Sequence, residues 1–139
     1  MRKIFIPLLV IILLLSCGKE ETKIEAFNPE AFAYDLGESW EVNSTANVRG
    51  FMQQRSDEIY SSSISYSVDL QTPSGEIVKS VFEHTEEKTY NEQLMDMQLE
   101  VQFDLDSSYT AGNYKLLYVI KDNFGGNETE ITVNFELSK

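Results

Sequence analysis

The sequence predicts an all-β fold, a single antiparallel sandwich of about seven strands over residues 40–139. Three observations predict it. Apolar and polar residues alternate with a period of two in several long stretches. Clusters of Gly, Pro, Asn, Asp and Ser punctuate the stretches. The chain of 139 residues is 42% hydrophobic and 12% aromatic, enough for one packed core, and its single cysteine cannot close an internal disulfide. Packing and hydrogen bonds alone must therefore hold the fold.

The N-terminus comes first. Arg2 and Lys3 precede an apolar run, Ile4 to Leu15, broken only by Pro7. The run is about half the roughly 20 residues that a membrane-spanning helix needs. A basic start followed by a short apolar segment predicts a helical signal peptide over residues 1–16. It ends in Leu14-Leu15-Ser16-Cys17. This resembles the lipobox of bacterial lipoproteins, and the resemblance covers residues 1–17. It implies cleavage after Ser16, a diacylglyceryl group on the Cys17 sulfur, and an acyl chain such as palmitate on the new amino group. Two or three acyl chains hold a protein firmly in a bilayer. The implied location is the cell envelope, lipid-anchored at the outer membrane. Gly18 is followed by Lys19-Glu20-Glu21. These three look like the surface-export signal of some Gram-negative lipoproteins, which implies a surface-exposed domain. A periplasm-facing one is the alternative, because charged residues suit any tether.

Residues 17–39 read as the lipidated cysteine and a flexible tether. Within it, residues 24–36 leave two alternatives open. Asn28-Pro29-Glu30 suits the start of a short helix. Phe32, Tyr34 and Leu36 alternate as in an edge strand.

From Trp40 the period of two takes over. Val42, Ser44, Ala46, Val48 and Gly50 share one face. Ile64, Tyr66, Val68 and Leu70 do the same, as do Met97, Leu99, Val101, Phe103 and Leu105, and finally Ile131, Val133, Phe135 and Leu137. Each set predicts a strand with one face on a core and one in water. Ile77–Phe82 and Tyr114–Ile120 are more apolar on both faces, which predicts central strands. Turns are expected at Thr72-Pro73-Ser74-Gly75, at Ala111-Gly112-Asn113 and across Asp122–Asn127.

The stretch from Phe103 to Leu137 resembles immunoglobulin-like modules, including fibronectin type III and macroglobulin-type domains. The residues that carry the likeness are Phe103-Asp104-Leu105, then Ala111-Gly112-Asn113-Tyr114-Lys115-Leu116, Asp122, Gly125-Gly126 and the alternating last strand. The resemblance implies a tyrosine corner at Tyr114, whose hydroxyl would bond back to the preceding loop. The chain departs from antibody domains in lacking their disulfide and in placing Trp40 near the start.

The formal charge is −12, and it becomes −14 once Arg2 and Lys3 leave with the signal. Such an excess of carboxylates repels nucleic acid and anionic head groups. His84, the only histidine, lies between Glu83 and Thr85 and reads as solvated. No zinc spacing, nucleophile elbow or phosphate-binding loop occurs. Asp104, Asp106, Asp122-Asn123 and Glu128 offer oxygen ligands, but not at EF-hand spacing, so no metal or cofactor is expected beyond the covalent lipid on Cys17. The candidate binding loop is Asp122, Asn123, Phe124, Gly125 and Gly126, with Phe124 either plugging the sandwich end or standing out as an anchor.

These readings give a membrane-anchored lipoprotein with a non-catalytic binding or assembly module, partnered by the bilayer and by an envelope protein. The alternative is a structural spacer or accessory subunit of an outer-membrane complex. An enzyme ranks third. The sequence names neither the ligand nor the oligomeric state.

Overall fold

The computed structural model describes residues 23–139 and contains eight strands. They are β1 (Glu25–Asp35), β2 (Ser39–Arg49), β3 (Gln54–Ser56), β4 (Ile59–Gln71), β5 (Ile77–Tyr90), β6 (Asp96–Asp106), β7 (Gly112–Asp122) and β8 (Glu128–Leu137). All pairings are antiparallel. One sheet has the order β1-β2-β6. In the other, β4 pairs along one edge with β5, and along its opposite edge with β3 at its start and β7 beyond; β8 follows β7. The chain changes sheet between β2 and β3, between β5 and β6, and between β6 and β7, as in immunoglobulin-like sandwiches.

Alternation decides which atoms meet between the sheets. Val42, Ala46 and Val48 of β2 and Met97, Leu99, Val101 and Leu105 of β6 are buried. They face Ile64, Val68 and Leu70 of β4, Tyr114, Leu116, Tyr118 and Ile120 of β7, and Phe135 and Leu137 of β8. The intervening residues of β6, such as Gln98, Glu100 and Gln102, are exposed. A buried polar relay ties the layers together. The Tyr118 hydroxyl donates to Ser44 Oγ at 2.6 Å, and Ser44 donates to the Glu30 carbonyl at 2.7 Å. Each hydroxyl is thereby satisfied, which removes most of the cost of burying it. Burial pushes the Tyr118 hydroxyl up to about 12, against the bond to Ser44.

The tyrosine corner forms as expected. Tyr114 is buried, and its hydroxyl donates to the Thr110 carbonyl at 2.7 Å.

The structure corrects three expectations. First, residues 25–35 form the strand β1, the edge-strand alternative and not the short helix, so the sandwich begins well before Trp40, inside the segment read as tether. Its register slips between Phe27 and Glu30, where Asn28 takes a left-handed φ of 48°. A proline is tolerated there because β1 has a ladder on one edge only and the bulge absorbs the missing donor. Second, β5 runs on to Tyr90 rather than stopping near Phe82. Third, β5 is an edge strand, not a central one. A bulge near Ser80 (φ 51°) interrupts it, held by Asp69, which accepts from Lys79 Nζ at 2.9 Å and Ser80 N at 2.8 Å. Burial works against the Asp69 charge, but the Ser80 amide and Lys79 more than offset it and hold the carboxyl below its usual range.

Strand directions give the sandwich two poles. At one lie the start of β1, the β2–β3 segment, the β3–β4 hairpin, the β5–β6 connection and the β7–β8 turn. At the other lie the β1–β2, β4–β5 and β6–β7 turns and the C-terminus.

Candidate functional site

The β7–β8 turn is built around one carboxylate. Asp122 ends β7 with its side chain buried, yet the charge is fully partnered. Its oxygens accept from the amides of Met52 at 2.7 Å, Gly125 at 3.0 Å and Phe124 at 3.1 Å. The backbone closes the turn through Gly126 N to Asp122 O at 2.7 Å and Asp122 N to Asn127 O at 2.9 Å. Gly125 is required by this arrangement, because a Cβ there would sit 2.5 Å from Asp122 Oδ2. Gly126 supplies a φ of 75°, where a side chain would be strained. Asn123 is also tied down. Its amide donates to the Ser63 carbonyl at 2.9 Å, and its side-chain nitrogen donates to Ser63 Oγ at 3.0 Å and Ser65 Oγ at 2.8 Å.

Four of the five residues of the candidate loop thus have positions set by the fold. Phe124 is half-buried, between the two alternatives its sequence context leaves open. The loop is a rigid platform joined to the β2–β3 segment.

The oxygen ligands considered for calcium are separated. Asp104 and Asp106 lie at the pole opposite Asp122 and Glu128. Asp106 accepts from the Ser108 hydroxyl and amide, which hold its carboxyl below the usual range. Among the described residues, no group of three or more His, Cys, Asp or Glu side chains is placed to share a metal ion. Cys17, Lys19, Glu20 and Glu21 lie outside the described residues.

A second site emerges from the sheet edges. The sandwich's two long flanks differ. On one, β1 packs against β8. On the other, β5 and β6 are each paired on one side only among the described residues, so each has a backbone edge without a strand partner. Register with β4 places Phe82, His84, Glu86 and Lys88 on the inward side of β5, opposite Val68, Tyr66, Ile64 and Ser62. These side chains line a groove of about 480 Å³ whose far wall is Asp96, Gln98 and Glu100, with Tyr66, Leu94 and Met97 beneath.

The groove's charge is mixed and its geometry is defined. His84 Nε2 lies 3.1 Å from Glu86 Oε2, and Lys88 Nζ lies 3.5 Å from Glu86 Oε1. The Tyr66, Phe82 and His84 rings pack with centroids 5.8 to 6.3 Å apart. The Tyr66 hydroxyl crosses to β6 and donates to the Glu100 carbonyl at 2.7 Å. Burial pushes that hydroxyl up to about 12, partly opposed by the same bond. Chemically, the groove offers two strand edges, an aromatic floor and three carboxylates around one lysine and one histidine. An extended chain could add to either edge.

Sequence reasoning missed this site because it treated the residues after Phe82 as loop. Phe82, His84, Glu86 and Lys88 share one face of the strand, but Glu83, Thr85 and Glu87 on the other are equally polar, so no apolar alternation marks it.

No protein-family model and no curated protein matches the chain. Among solved structures, an X-ray structure of a Northeast Structural Genomics Consortium target is similar, with a TM-score of 0.46 and 12% identity over 86% of this chain and 88% of that one.

Proposed function

We propose that the protein is a lipid-anchored envelope protein, held through Cys17, whose sandwich is a non-catalytic binding or assembly module. The observation that carries the module reading is the open β5–β6 flank. It combines backbone edges that lack a strand partner among the described residues with a groove whose acidic members, Glu86, Asp96 and Glu100, outnumber His84 and Lys88. An extended protein segment bearing cationic side chains matches both features. The anchor rests on Leu14-Leu15-Ser16-Cys17.

Two variants test the reading separately. Cys17→Ala is expected to release the protein from the membrane fraction and abolish palmitate labelling; retention without label in the wild type would overturn the anchor. Glu86→Lys combined with Glu100→Lys is expected to remove partners recovered by cross-linking in intact cells. An unchanged set of partners would overturn the flank as the binding site. A second reading, an accessory subunit of an outer-membrane complex, draws on Phe32, Tyr34 and Leu36, which stand exposed along and just beyond β1. Partners lost on Phe32→Ser with Tyr34→Ser, and not on the groove variant, would favour it.

A further inference from the structure

We propose that the pole carrying Met52, Ile59 and Met95 rests on the bilayer surface, so that the domain stands upright with its opposite pole outward. The inference builds on the lipid-anchored reading and adds an orientation to it.

The first ground is chain length. Ile24 is buried, and the carbonyl of Lys23 packs where a side chain at Gly50 would otherwise go. The fold therefore takes hold of the chain at residue 23. Between it and Cys17 lie five residues, which whatever their conformation span at most about 20 Å. The strands are 10 to 14 residues long except β3, so the sandwich is about 35 Å tall, more than the tether can reach. The tether enters at the pole formed by the start of β1, and that pole must stay near the membrane.

The second ground is the surface of that pole. Met52, Ile59 and Met95 are 45%, 50% and 89% exposed. They are not scattered. Gln53 exchanges hydrogen bonds with both backbone groups of Leu94 at 2.8 and 2.9 Å, which fixes the β5–β6 connection against the β2–β3 segment. The Met52 amide is held by Asp122, and Ile59 lies at the tip of the β3–β4 hairpin, opposite Ser56. Beside them, Tyr60 and Tyr90 stack at 6.4 Å and Arg55 lies over the Tyr60 ring. Tyrosines and snorkelling cations flanking apolar tips suit a bilayer interface.

The third ground is charge. Five of the eight cations in residues 23–139, namely Lys23, Arg49, Arg55, Lys88 and Lys121, lie toward this pole. They offset, without cancelling, the carboxylates of the same pole, among them Glu25, Asp57, Glu58, Glu92 and Asp96, so the contact suits a zwitterionic surface rather than an anionic one.

The test uses the full lipidated protein in phosphatidylcholine vesicles. Lipidation of Cys17 leaves no other thiol, so single cysteines at Gln93, Ser74 and Gln102 can each carry a fluorophore. Gln93 lies at the proposed contact pole, Ser74 at the opposite pole and Gln102 on the outer side of the three-stranded sheet. Nitroxide confined to the bilayer is expected to quench the Gln93 label and spare the other two. Replacing Met52, Ile59 and Met95 together by Ser should abolish that quenching while the protein still floats with the vesicles. Equal quenching at all three sites, stronger quenching at Gln102, or quenching that survives the triple replacement would overturn the orientation. A wild-type protein that neither floats nor takes palmitate would overturn the anchor instead.

Discussion

The two flanks of the sandwich solve the problem of an exposed sheet edge in different ways. On the β1–β8 side the inward residues of β1 are Ala31 and Ala33, opposite Ser44 and Val42. Small side chains let β1 lie close against β8, and the flank is covered. On the β5–β6 side the inward residues of β5 become Phe82, His84, Glu86 and Lys88. Charged side chains on the inward face keep β5 from settling onto β6 and also discourage edge-to-edge pairing with another molecule. The difference teaches that "inward" in register does not mean "buried". Past the edge of the facing sheet, the same pleat direction points into water.

Substitutions can break this comparison. The largest effect is expected where both sheets overlap: Leu99→Ala, 1% exposed on β6, should cost roughly 2–5 kcal/mol. Phe82→Ala, half-buried on the open flank, should cost less despite removing more atoms. If denaturant titration gave Phe82→Ala the larger loss, the flank would be closed in solution. Enlargement should show the reverse asymmetry. Ala33→Leu should cost about 1–3 kcal/mol by forcing β1 away from β8. His84→Leu, which points into the groove, should stay within about 0.5 kcal/mol.

Alkali sharpens the contrast. Burial holds the Tyr66 and Tyr118 hydroxyls up to about 12 against an ordinary 10.0. Because the unfolded chain ionises first, their contribution to stability is full below pH 10 and is lost as pH rises through 12. Ultraviolet titration should find Tyr66 and Tyr118 ionising late. Tyr66→Phe, at the open flank, should remove one of them without unfolding the protein. Ionisation of Tyr66 and Tyr118 near pH 10 would mean that the core admits water. A modest effect belongs to the corner: Tyr114→Phe should cost on the order of 1 kcal/mol, one hydrogen bond to Thr110. A loss of stability too small to measure would leave that bond without a role.

How much of this the sequence carried depended on whether a pattern had one cause or two. Along β2, β4, β6 and β8, alternation reports burial alone, and the faces read from it agree with the structure at Val42, Val68, Leu99 and Phe135. Along β1 the inward residues are small and the outward ones aromatic, so its most apolar residues are not its buried ones, and a helix stayed open as an alternative. Along β5 the apolar run ends at Phe82, while the strand continues to Tyr90. The role of Asp122 was invisible for another reason. Its partners, Met52 N and Gly125 N, are backbone groups, and one of them lies 70 residues away. A residue of recognised turn chemistry proved to be a clasp between segments.

The path of the chain also decides how the domain bears load. Lys23 enters at one pole through β1, and Lys139 leaves at the other through β8. Tension applied between the two termini therefore runs along the strands rather than across them. The rungs joining β1 to β2 must then slide past one another together instead of parting one at a time. Peeling would need a pull at right angles to β1, and the two ends of this chain are not placed to exert one. A domain held at its first strand and hauled on by its last is, by this geometry, wired to resist being stretched.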